Sequence, residues 1–264
     1  MVDISKLYLR DLYLNKNIDI LVNADIFEYD LKSANTSLCR EYQLLPSKDI
    51  DEIEVMNKKD RVTKIGKLMR SNQTFKNGLK DAFIDIRRRF FEANDIEDSD
   101  ILSVKKDAIF TLRKCKIRTF GYCNFVPKNQ YSSYMYINNL EMYYKPNIFD
   151  YNESVVDVKG ISDICLKKHD KHMIMFLRHL FRHLEESSQE TQYSYIKNFM
   201  DNYKGLKLNT NYYREFDTQS IIRMNDSDVL YDDVEFIPYE NKNEHVDISY
   251  NFANILLPII RLMI

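Results

Sequence analysis

The sequence predicts an α+β protein, in which a small antiparallel sheet with flanking helices precedes a largely helical C-terminal part. Three observations favour this fold class. Apolar and aromatic runs typical of strands end at Asp30 and lie on both sides of residues 105–107. Between these runs, apolar residues recur at steps of three or four over residues 61–93, as in an amphipathic helix. After a boundary at Pro146, residues 160–204 have a mainly helical pattern.

Composition limits the classes of function. The 264 residues are 44% apolar and 30% charged, which suits a sizeable core in one large domain or two smaller ones. The net charge of −2 gives no global sign of nucleic-acid binding, so local charge must decide. The four cysteines have no CxxC spacing, which predicts a reducing, cytoplasmic compartment without a disulfide framework or zinc knuckle. The five glycines form neither a Walker loop nor a GxGxxG turn, so we expect side chains and metal to hold any phosphate.

The first candidate site lies in "IFEYDLKSANTSL", residues 26–38. A strand ends on Asp30, and "SANTSLCREY" then predicts a helix that Ser33 can cap. The next segment, "PSKDIDEIEVMNKKD", is interpreted as a polar connection. The helical pattern of residues 61–93 follows, either as one long helix or as two that are broken near Ser71–Asn72.

The later elements follow in order. "DILSVKKDAIFTLRK" predicts a strand, a tight turn and a strand, with Asp107 just past the turn. "SSYMYINNLEMYY" predicts another strand pair with a turn at Asn138–Asn139. The acidic segment 226–247 has eight Asp or Glu against one Lys and surrounds a strand-like "VEFIPY". An apolar helix, "FANILLPIIRLMI", closes the chain, and no run reaches the roughly 18 apolar residues of a membrane span.

Asp30 and Asp107 are candidate catalytic residues and metal ligands. Two aspartates on separate strands can converge on one face of a sheet, where they repel unless a cation lies between them. Mg²⁺ or Mn²⁺ prefers carboxylate oxygens and keeps positions for water or phosphate oxygens. Two such ions form the clamp used for in-line phosphoryl transfer. The alternative is that each aspartate is an ordinary turn or capping residue.

The segments around these acids resemble motifs of template-directed polymerases. "YDLKSANTSL" is similar to the first catalytic motif of family B DNA polymerases, D-x-x-S-L-Y-P-S, which follows an apolar strand. Asp30, Ser33 and Ser37 match this motif, and Thr36 replaces its proline. "KKDAIF" is similar to the third motif, D-T-D-S-I-F.

In the third motif, Asp107, Ile109 and Phe110 match, and Lys105 replaces the first acid. The order of strand with acid, basic helix and hairpin with acid is that of the polymerase palm and fingers. The resemblance covers roughly residues 20–115, and the consensus of the second motif is not cleanly present.

The resemblance implies a palm-like catalytic region in residues 1–146, with a basic fingers-like helix at about 61–93. Residues 147–264 then form a mostly helical, thumb-like or accessory region. The implied activity is that of a minimal or divergent nucleotidyltransferase of the family A and B polymerase type, phage-encoded or one subunit of a split enzyme. Its implied partners are primer-template nucleic acid and nucleoside triphosphates, with Mg²⁺ or Mn²⁺ as cofactor and the cytoplasm, of a host if phage-encoded, as location.

Local charge supports these partners. From Met56 to Phe90 there are eleven Lys or Arg against three Asp. The residues expected to meet a triphosphate are Arg61, Lys64, Lys67 and Arg70. The residues expected to bind nucleic acid are Arg87 and Arg88, together with Lys167, Lys168 and Lys171 in a second basic helix. The alternatives are solvated helix faces, with one of the arginines 87–89 pointing inward to a partner.

Asn35 is expected to act as a sugar gate. In the polymerases that this segment resembles, a bulky residue five positions after the first aspartate packs under the sugar and rejects a ribose hydroxyl. Asn35 is smaller and can hydrogen-bond to a hydroxyl, so weaker exclusion of ribonucleotides is predicted. The alternative is that Asn35 merely caps the helix.

Two other functions remain open. One is a catalytically degenerate palm that binds nucleic acid or assembles a multi-chain replication complex, with the acidic segment or the C-terminal helix contacting a protein partner. The other is a metal-dependent nuclease, which predicts a third acid at the site, either Glu28 or Asp100.

Overall fold

The computed structural model describes a large N-terminal part of the chain and several later segments. The described residues are 4–137, 140–160, 174–186, 194, 197–198, 201–202, 207, 221–224 and 227–230. They form an α+β fold with antiparallel sheets, which confirms the predicted class.

The chain divides into two compact units. The first contains Met1–Ile18 and Ala24–Tyr131, and the second contains Asp19–Asn23 and Ser132–Ile264. The division therefore falls after Tyr131, and Pro146 lies inside the second unit.

The described strands all pair in antiparallel fashion. They are β1 (Leu12–Leu14), β2 (Ile20–Leu21), β3 (Ile26–Leu31), β4 (Ile101–Lys105), β5 (Ala108–Thr111), β6 (Thr119–Phe120), β7 (Cys123–Tyr131), β8 (Ser133–Ile137), β9 (Leu140–Lys145), β10 (Val155–Lys159), β11 (Ile221–Met224) and β12 (Ser227–Leu230). The described α-helices are α1 (Ala34–Glu41), α2 (Ser47–Glu54), α3 (Lys58–Ser71), α4 (Gln73–Ala93) and α5 (Met175–Glu186). Short 3-10 helices occur at Ile4–Leu9, Asp98–Asp100 and Tyr151–Glu153.

The first unit is built on a six-stranded sheet with the order β1-β4-β5-β3-β7-β6. The predicted strand at residues 26–30 and the predicted hairpin around residues 105–107 are confirmed as β3 and β4–β5. Lys105 pairs with Ala108, so the hairpin turn consists of two residues, Lys106 and Asp107. Strand β3, which carries Asp30, lies between β5 and β7. It is therefore the direct neighbour of β5, the strand that follows Asp107.

The basic helical stretch consists of two helices with a break at Asn72. This confirms the sequence interpretation of two helices over that of one long helix. The Asn72 side chain accepts a hydrogen bond from the backbone N–H of Phe75 at 2.9 Å and caps α4. Helix α3 begins at Lys58, earlier than predicted, because the Asn57 side chain caps it by accepting from the N–H of Asp60 at 3.0 Å.

The expected polar connection after α1 was wrong in part, because it contains helix α2. Ile50 and Ile53 of this helix are buried, at 2% and 1% exposure. Two apolar residues in eight are too few to set a visible period, so the helix could not be recognised from its pattern.

The helices cover one face of the first sheet. Tyr29 and Leu31 of β3 are buried in the core, where Phe90 of α4 lies 4.3 Å from Phe125 between ring centroids. Since successive side chains on a strand point to opposite faces, Glu28 and Asp30 point to the other face. The strand can therefore carry an aspartate next to its last residue without placing it in this core.

The second unit has a four-stranded sheet with the order β10-β9-β8-β2. The predicted strand pair is confirmed as β8 and β9, and its predicted turn at residues 138–139 lies outside the described residues. Helix α5 stacks Phe181 on Tyr144 of β9, with ring centroids 5.2 Å apart. The Ser133 hydroxyl donates to the Glu185 carboxylate of this helix at 2.6 Å. Helix α5 lies within the stretch predicted to be helical, and the final apolar segment lies outside the described residues.

Candidate active site

Asp30 and Asp107 lie next to each other at one end of the first sheet. Asp30 pairs with Ala108 across β3 and β5. The backbone N–H of Leu31 donates to the carbonyl of Asp107 at 2.9 Å. Both aspartates line a single pocket, so two acids 77 positions apart in sequence are brought together by strand pairing.

The pocket has a volume of about 330 Å³ and opens to solvent. Three segments line it: the turn from β3 into α1, one face of α3, and the β4–β5 turn. Its lining residues are Asp30, Leu31, Ser33, Ala34, Asn35, Thr36, Lys58, Arg61, Val62, Ile65 and Asp107. Carboxylates and cations therefore share one open cavity.

The electrostatics of Asp30 reflect this crowding. Burial raises the pKa of Asp30, and the negative charge of Asp107 raises it further. Lys128 and Lys58 act in the opposite direction, and Glu28 adds to the rise. The acids repel each other across the pocket, which is the condition under which a bound cation is most favoured.

The residues present fit a hydrated divalent cation. Two carboxylates in an open pocket provide oxygen ligands of the kind that Mg²⁺ prefers, and the opening leaves room for water or phosphate oxygens. Among the described residues, no group of three or more His, Cys, Asp or Glu is gathered as a metal site. The protein therefore offers two acidic ligands from Asp30 and Asp107.

Neither predicted third acid is free to join them. Glu28 is buried and accepts hydrogen bonds from Asn129 Nδ2 at 2.6 Å and Tyr131 OH at 2.9 Å. The Lys128 ammonium lies 3.3 Å from its carboxylate. Asp100 is occupied by the backbone N–H of Glu97 and is not among the pocket residues.

Lys128 is the extra residue of a β-bulge in β7. Glu28 pairs with Asn129 and the next residue, Tyr29, pairs with Pro127, which leaves Lys128 unmatched in the ladder. Bulges re-aim side chains at sites of this kind. The bulge gives the acid-rich face a cation beside both Glu28 and Asp30.

The N-terminus of α1 opens into the same pocket. Ser33 is its N-cap residue in a left-handed conformation, with φ 50° and ψ 42°, and no side chain caps the helix. Ser33 holds the predicted N-cap position, but its hydroxyl makes no capping hydrogen bond, so the predicted cap is not formed. The N–H groups of Thr36 and Ser37 donate to the Ser33 carbonyl at 3.0 Å, so the amides that can meet an anion are those of Ala34 and Asn35.

Helix α3 directs only some of its cations at the pocket. Lys58, Arg61, Val62 and Ile65 line it, and their spacing of three and four places them on one face of the helix. Arg61 was predicted from the sequence, and Lys58 was missed. Counting back seven residues from Ile65 in the helical period would have found Lys58.

The other three predicted triphosphate residues are not among those that line the pocket. Lys64 is 3.8 Å from the Glu52 carboxylate, and Arg70 Nε donates to the carbonyl of Gly66. Lys67 is exposed, and at 100° per residue it is half a turn away from Lys58. The structure therefore does not bring Lys64, Lys67 and Arg70 together with Arg61.

The predicted nucleic-acid role of Arg87 was wrong, because this residue is buried at 1% exposure and bonds within the protein. The expectation that one of the arginines 87–89 points inward is thereby confirmed. Arg88 is paired with Asp85 and Glu92 on its own helix, so it is not a free cation. The predicted residues Lys167, Lys168 and Lys171 lie outside the described residues.

Asn35 lies in the first turn of α1 and lines the pocket. Its Oδ1 atom is shielded from solvent and has no hydrogen-bond partner within the described part of the chain. Because Ser33 is the N-cap residue, the alternative that Asn35 caps the helix was wrong. An unsatisfied acceptor in a pocket is suited to a donor from a bound molecule.

Asparagine in place of Asp30 is expected to raise the melting temperature of the metal-free protein at pH 7 by about 1–3 °C. The folded-state pKa of Asp30 lies above its ordinary value, so stability falls as pH rises from that ordinary value through the raised pKa. Asparagine has no charge that burial or Asp107 could disfavour, so the variant does not lose this stability at pH 7. Thermal unfolding in the presence of a chelator, at pH 7 and at pH 4, measures the change in melting temperature. A smaller increase is expected at pH 4.

The matched control is Asp81→Asn, which changes an exposed aspartate on α4 and should leave the melting temperature unchanged. A fall in stability of Asp30→Asn at pH 7 would contradict the repulsion between Asp30 and Asp107.

Comparison with known proteins identifies the family but not an activity. The model of a family described as the Bacteriophage PBS1 gene 130 protein matches residues 1–264, and the chain belongs to this family. Its description fits the expectation of a phage-encoded protein. No curated protein matches the chain. Among the helices that the structure describes, none has the length and apolar character needed to cross a bilayer.

Proposed function

We propose that the protein is a template-directed nucleotidyltransferase that extends a nucleic-acid strand from nucleoside triphosphates. One observation carries this proposal: Asp30 and Asp107 share a pocket with Lys58 and Arg61. Acids on one wall and cations on another suit a triphosphate that arrives as a magnesium complex. The N-terminus of α1, which has no side-chain cap, adds backbone amide donors beside these cations.

The chain's own groups would act by positioning and charge. Arg61 and Lys58 would bind the outer phosphates, and the first amides of α1 would donate to the same oxygens. Mg²⁺ or Mn²⁺ held by Asp30 and Asp107 would supply stabilisation of the charge that develops on the transferred group. Phosphoryl transfer needs little else from the protein than alignment and electrostatic stabilisation.

The arrangement of the motifs supports a palm-like site. The segment that resembles the first polymerase motif forms the strand β3 and the turn after it, and the segment that resembles the third forms the adjacent hairpin. The helices α1 to α4 lie between them in the chain, where fingers are expected. This order agrees with the resemblance stated from the sequence.

A degenerate, non-catalytic palm is the second candidate. It is favoured by the acid count, because the pocket has two aspartates and Lys105 stands where the third motif has its first acid. Such a protein would bind nucleic acid or assemble a replication complex without incorporating nucleotides.

A primer-extension experiment separates these functions. The full chain is incubated with primed DNA or RNA templates, Mg²⁺ or Mn²⁺, and labelled deoxy- or ribonucleotides. Extension supports the polymerase, strand shortening indicates a nuclease, and a gel shift without either product supports the binding subunit.

Alanine in place of Arg61 is expected to raise the KM for the triphosphate by about 10-fold or more, because a charge-assisted hydrogen bond to phosphate is lost. Lys58→Ala should raise it less, since Lys58 is exposed. Steady-state incorporation measures both. The matched control is Lys67→Ala on the opposite face of α3, which should leave KM unchanged. An equal rise in the Lys67 variant would show that net charge, not the pocket, sets the affinity.

A further inference from the structure

Arg87 is an unusual buried residue beside the candidate site. It lies on α4 at 1% exposure and donates three hydrogen bonds to three separate acceptors. Nε donates to the carbonyl of Tyr8 at 3.0 Å, Nη1 to the carbonyl of Lys106 at 3.0 Å, and Nη2 to the Asp11 carboxylate at 2.9 Å. The guanidinium thus joins the N-terminal segment, the helix and the β4–β5 turn.

The Lys106 carbonyl, which accepts from Arg87, belongs to the peptide bond between Lys106 and Asp107. The peptide bond that leaves Asp107 is held as well, by the N–H of Leu31 at 2.9 Å. Leu31 directly follows Asp30 in the chain. Both carbonyls around Asp107 are therefore fixed, one by Arg87 and one by the strand that carries the other acid.

The turn needs this support. Lys106 has a φ of 58°, a left-handed conformation that brings the Cβ of a non-glycine residue too close to the following carbonyl oxygen. Repulsion between the two carboxylates acts against their close approach. The Lys106 N–H donates to the carbonyl of Asp11 at 2.6 Å, and its ammonium lies 4.9 Å from the centre of the Phe83 ring. Asp11 therefore binds both Arg87 and the turn.

We propose that Arg87 and Asp11 are positioning residues that hold Asp107 at the distance from Asp30 needed to share a divalent cation. This inference rests on the proposed function, because it assumes that the two acids bind metal. Neither residue touches the pocket: Arg87 acts through the Lys106 carbonyl, and Asp11 acts through Arg87 and the Lys106 N–H. A lysine could not replace Arg87, since only the planar guanidinium reaches three acceptors in different directions.

The test compares Arg87→Lys, Asp11→Asn and the control Arg88→Lys, which alters an arginine paired only along its own helix. Three quantities are measured: Mn²⁺ affinity by paramagnetic relaxation, hydrogen exchange of residues 105–108 without metal, and the melting temperature. Arg87→Lys should weaken Mn²⁺ binding by about 10-fold, as loss of a supporting contact typically does, and speed exchange in the turn. Asp11→Asn should do the same to a smaller extent, and the control should do neither.

The outcomes are distinguishable from those of the polymerase proposal. If Arg87→Lys does not fold, Asp11→Asn decides, because asparagine removes the charge at the Arg87 contact on a half-exposed residue and keeps an acceptor oxygen in its place. Lower melting temperatures with wild-type Mn²⁺ affinity and turn exchange would overturn the positioning role and leave Arg87 as a core residue. Arg87-dependent Mn²⁺ binding without primer extension would uphold this role and overturn the polymerase. Absence of Mn²⁺ binding by the native protein would overturn both.

Discussion

Alanine in place of either Asp30 or Asp107 is expected to reduce nucleotide incorporation by about 10³-fold or more. Each carboxylate provides half of the acidic wall of the pocket, and the fold offers no third acid nearby that is free of partners among the described residues. The double variant should be no worse than either single variant, because two ligands of one site act as a unit. Primer extension under single-turnover conditions measures the loss.

Folding and strand binding should persist in these variants, because Asp30 is only half-buried and neither side chain is among the buried core residues. Asp81→Ala is the matched control, since it removes an exposed acid from α4. Normal extension by Asp30→Ala or Asp107→Ala would rule out the two-acid site. Additive losses would indicate that the two residues serve separate steps.

The two acids could be found from the sequence because local signals define them. An apolar run that ends on Asp30 and a hairpin turn at Asp107 mark strand ends, and strand ends on neighbouring strands meet. The break at Asn72 was visible for the same reason, because asparagine both stops one helix and caps the next. These features depend on a few adjacent residues.

The side of α3 that faces the site could not be read locally. Lys58, Arg61, Lys64, Lys67 and Arg70 form one series at steps of three. Each step moves the next cation about 60° around the helix, so the series reaches several faces. Only the packing of Ile65 against the core decides which members of this series point to the pocket. Charge periodicity alone gives a stripe but not its direction.

Arg87 shows a second limit. In sequence it is the first of three arginines and resembles its neighbours. Its burial depends on acceptors at residues 8, 11 and 106, which are at least 19 positions away. The division into units has the same origin, since residues 19–23 join the second unit where β2 pairs with β8. Distant contacts of this kind leave no periodic signal in the chain.

Tyrosine in place of Asn35 is expected to shift sugar selection toward deoxynucleotides by about 10²-fold. Asn35 occupies the position at which the polymerases resembled by this segment carry a bulky gate, and asparagine leaves more space there. Its shielded Oδ1 has no partner within the described residues. A ribose 2′-hydroxyl can donate to this atom, and satisfying a shielded acceptor is worth about 1–3 kcal/mol. The native protein should therefore accept ribonucleotides well.

Asn35→Ala separates the two physical causes. Alanine removes the acceptor without adding bulk. Incorporation of ribonucleotides relative to deoxynucleotides should therefore fall by about 10-fold, while incorporation of deoxynucleotides stays unchanged. Tyrosine removes the acceptor and adds a clash, so it should go further and reject ribonucleotides. Competition between deoxy- and ribonucleotides on one primed template measures both ratios. If the native protein already rejects ribonucleotides and neither variant changes the ratio, Asn35 does not contact the sugar, and the shielded Oδ1 needs another explanation.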